Sequence, residues 1–323
     1  MMHSFLYSDH KATALPFQEG AAQFGVAELL WLHMDGRLDE AQAWIAEQAG
    51  IPAIVKTALI AAETRPRCDV IGEGALINLR GVGKTPDDDP DALVSIRFWV
   101  EAGRVITIGL HTPLAVDSVI DQFLSGQIRD PGDLLAAFAS AISDELDPDV
   151  AKLGDDLDEI EGKLTSKGLH IMRRRVSMIR SNAIGYRRFV SPQRVALERL
   201  ASAPIACLDE DDRLHLREAS DRFARMAEEL EAVRERAAIV HEELTDLRSE
   251  QIDGRGLILS IAALVFLPLT FITGVFGMNF DIMPLIENPN GFWYTVIFCL
   301  LVTVFGIVWF VRHRWISQDE SLE

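Results

Sequence analysis

Cys207, Asp211 and His215 recur at i, i+4 and i+8, a spacing that puts a thiol, a carboxylate and an imidazole on one helical face. These are the donor types that zinc takes. The same stretch also reads as an acidic first helical turn, Asp209-Glu210-Asp211-Asp212, complementing the helix dipole beside an incidental thiol. His241 and Asp253 precede a charge-free apolar run, and Asp281 and Glu287 follow it. They are the groups there that could exchange a proton along a membrane path. His241 reads equally as a solvated residue beside a heptad seam, and Asp253 as a charge solvating the helix near a membrane surface. No nucleophile–base pairing, phosphate-binding Walker loop or dinucleotide fingerprint occurs. The expectation is therefore neither an enzyme nor a protein with a resident cofactor.

The apolar runs cover residues 257–276 and 292–311, and neither contains Asp, Glu, Lys, Arg or His. At ~1.5 Å per residue each reaches about 30 Å as a helix, the thickness of a bilayer core. Arg255 precedes the first run and Arg312, His313 and Arg314 follow the second, while the loop between them has no Lys or Arg. The positive-inside rule then puts both termini in the cytoplasm and the loop outside. Trp293, Tyr294, Trp309 and Trp315 sit where aromatic belts form.

Within the first run a 3-4 stripe passes through Asp253, Gly256, Ser260, Ala263, Leu267, Thr270, Gly274 and Gly277. Apart from Leu267 it is small or polar, whereas Leu257, Ile258, Leu264, Val265, Phe271, Ile272 and Val275 occupy the other faces. Such a stripe has two physical readings: close helix–helix packing through small residues, or the wall of a pore. Pro268 is tolerated in a membrane helix and can kink it.

A long upstream helix must carry this stripe. Residues 205–253 contain neither Gly nor Pro, and an unbroken seam runs Leu216, Ala219, Phe223, Met226, Leu230, Val233, Ala237, Val240, Leu244, Leu247. A seam of this kind packs against other helices, often copies of itself. The reading is one helix over 205–276. Earlier, residues 38–48 and 54–62 look helical, and 69–79 reads as one strand. Residues 94–100 and 104–110 read as strands joined through Glu101-Ala102-Gly103. A helix after Gly132 is expected to break at Asp147-Pro148. The next, over 149–190, should end at Ser191-Pro192.

The division expected is an α/β domain over 1–130, a helical region over 131–204 and a stalk over 205–256. A first span with Gly277-Met278-Asn279 over 257–279, an outer loop over 280–291, a second span over 292–311 and a tail over 312–323 complete it. The fold class is an α+β head, layered α/β/α, followed by the stalk and two C-terminal spans. The formal net charge is −18, with nearly all acids before residue 257. That argues against nucleic acid as a partner and favours a field that concentrates cations, although it also serves ordinary solubility. Cys68, Cys207 and Cys299 make no disulfide framework, which suits a reducing compartment, and no cleaved signal peptide is expected.

At Gly277-Met278-Asn279 the chain resembles the CorA/ZntB family of divalent-cation transport proteins, which place this tripeptide at the outer end of the first of two C-terminal spans. Residues 264–279 (LVFLPLTFITGVFGMN), the second span and the basic tail through Trp315 share the pattern. Trp31-Leu32-His33, Glu63-Thr64-Arg65-Pro66-Arg67 and the strand pair around 95–108 resemble the zinc-associated ZntB branch. The resemblance spans nearly the whole chain. It implies a homopentameric funnel in a bacterial inner membrane, with first-span helices around a central pore and second spans outside them. The stripe then becomes the pore wall, and Asn279 forms a ring of carbonyls at its mouth. A hard divalent cation gives up water reluctantly, so neutral acceptors can hold it through its water shell.

The branch, and with it the ion, is less sharply marked. Zinc prefers Cys and His, and neither lies on the stripe, so zinc would pass at least partly hydrated. The loop residues Phe280-Asp281-Ile282-Met283-Pro284 lack the glycine pair of the ZntB branch and resemble the magnesium type. Zinc is the favoured ion, with magnesium, cobalt or nickel the alternative, and proton-coupled uptake is compatible with both. A membrane-anchored sensor, whose hairpin only tethers an acidic head, is the competing class.

Overall fold

Strand-forming runs rich in Leu, Ile, Val and aromatic residues fill the first 110 residues, and they assemble into one sheet. The computed structural model describes residues 2–23, 25, 27–61, 65–84, 93–164, 168–278 and 288–319, and the structural statements below concern these. The elements are β1 Met2–Ser8, β2 Lys11–Leu15, α1 Phe17–Ala21, β3 Leu29–Asp35, α2 Asp39–Glu47, α3 Ala53–Leu59, β4 Arg67–Ile71 and β5 Gly74–Val82. After them come β6 Leu93–Glu101, β7 Arg104–Gly109, α4 Ala115–Leu124, α5 Pro131–Glu161, α6 Leu169–Ala201, α7 Glu210–Phe276 and α8 Gly291–Asp319. Two compact units result, one of residues 1–164 and 170–242, the other of residues 165–169 and 243–323.

In the first unit the seven strands run in the order β2-β1-β3-β7-β6-β5-β4. Only the central β3–β7 pair is parallel. Every residue of β7 is buried, and so is all of β3 except Asp35, as central strands covered on both faces must be. On one face Leu30, Leu32, Met34, Leu76, Trp99, Ile106 and Ile108 pack with Ala41, Ile45, Val55 and Leu59 of α2 and α3. On the other, Phe5, Trp31 and Phe98 pack with Phe123 of α4 and Phe138 of α5. The α/β/α layering read from sequence is therefore the observed one.

The β6–β7 hairpin forms as read, turning at Gly103 with φ +72°. The single strand read over 69–79 is two, β4 and β5, because Gly72 takes φ +64° and reverses the chain between them. Pro148 does not break its helix. α5 runs through it, since the buried stripe Leu146, Val150, Leu153, Leu157 and Ile160 continues on one face. That packing outweighs the ~3 kcal/mol cost of an internal proline. The chain breaks instead after Glu161. Pro192 likewise lies inside α6, where Gln193 anchors the helix to β5. Arg80 N donates to Gln193 Oε1 at 2.6 Å, and Gln193 Nε2 donates to Arg80 O at 3.0 Å.

α7 begins at Glu210 rather than at 205, and 67 residues follow in one helix. Its start is fixed by a reciprocal cap: Asp212 N donates to Asp209 Oδ1, and Asp209 N to Asp212 Oδ2, both at 2.9 Å. Arg213 closes the corner by donating to the carbonyls of Ala201 and Ala203 at 2.8 Å. From Leu216 to Leu244 every seam residue is buried within this single chain. α5 and α6 supply its partners. Arg222 pairs with Asp144 and Arg236 with Asp158 and Glu161 of α5, while Arg187 of α6 pairs with Glu231. The seam thus packs against helices of its own chain rather than against copies of it, the two partners its period allowed.

Candidate functional site

In the second unit the stripe is open. Asp253, Gly256, Ser260, Ala263, Leu267, Thr270, Gly274 and Gly277 are all exposed. Nothing lies within 4 Å of the Cβ position at Gly256 or Gly274. The cover that the chain gives its own helix falls elsewhere, on Leu257, Ile261, Val265, Pro268, Leu269 and Ile272, which are half-buried. The matching half-buried positions of α8 are Thr295, Val296, Cys299, Val302, Thr303 and Gly306. A groove of about 790 Å³ between the helices is lined by Leu269, Thr273, Phe276, Thr295, Cys299 and Thr303. It touches the stripe only at Gly277. The stripe is therefore not the seam against the chain's own second span.

The stripe hydroxyls have fixed orientations. Ser260 Oγ donates to Gly256 O at 3.0 Å and Thr270 Oγ1 to Phe266 O at 2.7 Å. Each proton is used inside the helix, so the outward side offers oxygen lone pairs, acceptors suited to the hydrogens of a cation's water shell. The helix ends at Phe276: Gly277 N still donates to Thr273 O at 2.9 Å, and the chain then tightens into Met278 N to Val275 O at 3.2 Å, with Met278 half exposed. Asn279, Asp281 and Glu287 lie outside the described residues.

Buried residues make up none of the most apolar stretch of α7 and 6% of that of α8, and both helices are long and apolar enough to cross a bilayer. A core helix of a soluble domain would be enclosed by its neighbours. These are two membrane-type helices at the C-terminal end.

In the first unit the proposed Cys207–Asp211–His215 face does not form. Cys207 lies in the turn before α7, off the helical register. Burial pushes its thiol up to about 11, away from the thiolate a metal needs. Asp211 Oδ2 and His215 Nε2 do approach, at 3.7 Å. His241 is not a freely solvated flank, since Arg173 Nη2 stands 3.4 Å from its Nε2. Sequence reasoning missed Asp130, Asp133 and Asp212, whose carboxylate oxygens come within 4.8 Å of one another. Oxygen ligands of this kind fit a hard cation. Burial first, then the neighbouring carboxylates, pushes Asp212 up to about 6. Asp130 and Asp212 already cap helices, through Asp133 N and Asp209 N. The signal available was an acidic capping residue at each of two helix starts; that the two starts meet is a tertiary fact.

The C-terminal pair of spans and the layered unit before them match one family along most of the sequence, with residues 26–314 fitting the description "CorA-like Mg2+ transporter protein". The chain belongs to the CorA family. Among its relatives, a zinc transport protein ZntB from Pectobacterium atrosepticum is 31% identical over 288 residues, covering 88% of each chain. A divalent cation transporter CmaX from Pseudomonas aeruginosa is 32% identical over 299 residues, 90% of this chain and 88% of that one. The solved structure of the full-length CmaX protein superposes with a TM-score of 0.81 at 29% identity, covering 97% of both chains. The likeness of this CorA-family chain to that protein extends over nearly the full length of both.

Proposed function

We propose that this protein carries divalent metal cations across a bacterial inner membrane through a pore lined by the stripe of α7, with zinc as the favoured ion. The observation that carries the reading is the open stripe, turned away from the chain's own cover. A row of glycine, alanine and hydroxyl residues gains little by facing lipid. Around an axis of symmetry it gives a narrow wall with acceptors facing inward.

The assembly proposed is the homopentameric funnel. Its first 256 residues and both termini are cytoplasmic, and Asn279 rings the outer mouth. Within each copy α5, α6 and α7 form the stalk bundle, so the copies meet through other surfaces than the heptad seam. Similarity to the zinc transport proteins supports zinc. Magnesium, cobalt or nickel remains the second reading, because the stripe offers oxygen acceptors without Cys or His and the family description names Mg2+. Either ion would travel with much of its water, and any coupled proton would be exchanged at the ends of the path, by His241 or Asp253 inside or by Asp281 or Glu287 outside.

Purified protein in liposomes loaded with zinc- or magnesium-sensitive dyes tests the reading. Zinc entry into vesicles holding wild type, sharply reduced by Asn279→Ala at unchanged assembly, is the expected result. No entry of either ion would favour the anchored sensor. Normal flux with Asn279→Ala would remove the mouth ring.

A further inference from the structure

Outside the membrane path, two histidines stand directly opposite each other across β1 and β3: His3 pairs with His33 in the strand register. In an antiparallel pair such partners share one face, with Cβ atoms about 4.5–5.5 Å apart. His33 is buried and His3 exposed, so the pair runs from the sheet interior to the surface. On the far side His33 faces Thr107 of β7, the next position in the same row.

Thr107 fixes the inner ring. His33 Nδ1 lies 2.8 Å from Thr107 Oγ1, which also accepts the indole N–H of Trp31 at 2.9 Å. Thr107 Oγ1 has the Leu32 carbonyl 3.4 Å away for its own proton. This lets His33 Nδ1–H donate to the hydroxyl and leaves Nε2 with its lone pair. No hydrogen bond to Nε2 occurs among the described residues, and the residue keeps 7% of its surface exposed. An imidazole held through one nitrogen with the other open is how metal-ligating histidines are oriented. Asp35, next on the same face of β3, is engaged by Arg37 through both carboxylate oxygens at 3.0–3.1 Å.

We propose that His3 and His33 form a surface site in the first unit for a zinc-type divalent cation, with two imidazole nitrogens as protein ligands and water completing the shell. Imidazole suits zinc, nickel and copper, and magnesium prefers oxygen. The site is separate from the pore stripe and stands whichever ion crosses the membrane.

The test uses the full-length protein and measures carbethoxylation of each histidine by peptide mass spectrometry, with zinc or magnesium alone as the probe. Modification tracks the metal-free fraction, so zinc ~10-fold above its dissociation constant should slow reaction at His3 by about tenfold. His10, exposed in the β1–β2 turn, should react at an unchanged rate and serves as the internal reference. Magnesium should protect neither. In His33→Gln, zinc should no longer protect His3. Because that variant alters a buried position, His3→Gln at the exposed position is the second arm. The zinc-induced rise in melting temperature that magnesium does not reproduce should shrink in it. The proposal is overturned if zinc leaves wild-type His3 unprotected or slows His10 equally. Protection that persists in His33→Gln, or a zinc-induced rise in melting temperature unchanged in His3→Gln, overturns it too.

Discussion

Thr270 and Ile272 stand two residues apart on α7 and face opposite ways: Thr270 is uncovered with its hydroxyl bonded to Phe266 O, while Ile272 is half-buried. In a background with Cys68, Cys207 and Cys299 replaced by serine, Thr270→Cys should react with small water-soluble thiol reagents. Divalent metal should slow that reaction. Ile272→Cys should stay unreactive. Equal protection of both would make the stripe a packing seam between copies.

The heptad seam should behave as a core of one chain. Leu230 is fully buried, so Leu230→Ala should lower the unfolding free energy by about 2–5 kcal/mol. Chemical denaturation of the purified protein measures this. A variant of unchanged stability that assembles poorly would return the seam to the subunit interface.

Gln193 is 1% exposed and bonds both backbone polar groups of Arg80. Gln193→Ala would remove both of these bonds, a loss of about 1–3 kcal/mol. Faster hydrogen exchange at the Arg80 amide than in wild type is the local signature. An unchanged rate there would contradict the anchoring role.

Cys207 should be a poor nucleophile. With its pKa pushed up to about 11 by burial, it carries about two orders of magnitude less thiolate at pH 8 than a free cysteine. Its alkylation in the folded protein should be slow at pH 8, accelerate toward pH 11 and become fast on unfolding. Fast alkylation at pH 8 in the folded state would restore it as a candidate metal ligand.

What could be read from the chain divides along physical lines. Local patterns were legible: the charge-free spans, the β6–β7 turn at Gly103 and the apolar seam from Leu216. Facts set by distant partners were not. Pro148 and Pro192 looked like breaks because their local cost is visible and the packing that offsets it, as at Gln193 on β5, is not. β3 was not singled out, since its parallel pairing with β7 joins segments far apart in sequence, and the local β1–β2 hairpin was missed outright. The seam's period was clear, and its partners α5 and α6 were not, because a heptad looks the same whether its partner is in the same chain or another copy. At the site, the small/polar stripe was legible in full, whereas the meeting of Asp130, Asp133 and Asp212 depends on two helix starts converging.

The central claim is that the cation travels along the Thr270 face. Zinc flux into liposomes holding Thr270→Cys or Ile272→Cys in the cysteine-free background, before and after treatment with a bulky water-soluble thiol reagent, tests it most directly. The prediction is that treatment brings flux through Thr270→Cys down to that of empty liposomes and leaves Ile272→Cys unaffected. Undiminished flux through a fully labelled Thr270→Cys protein would contradict it.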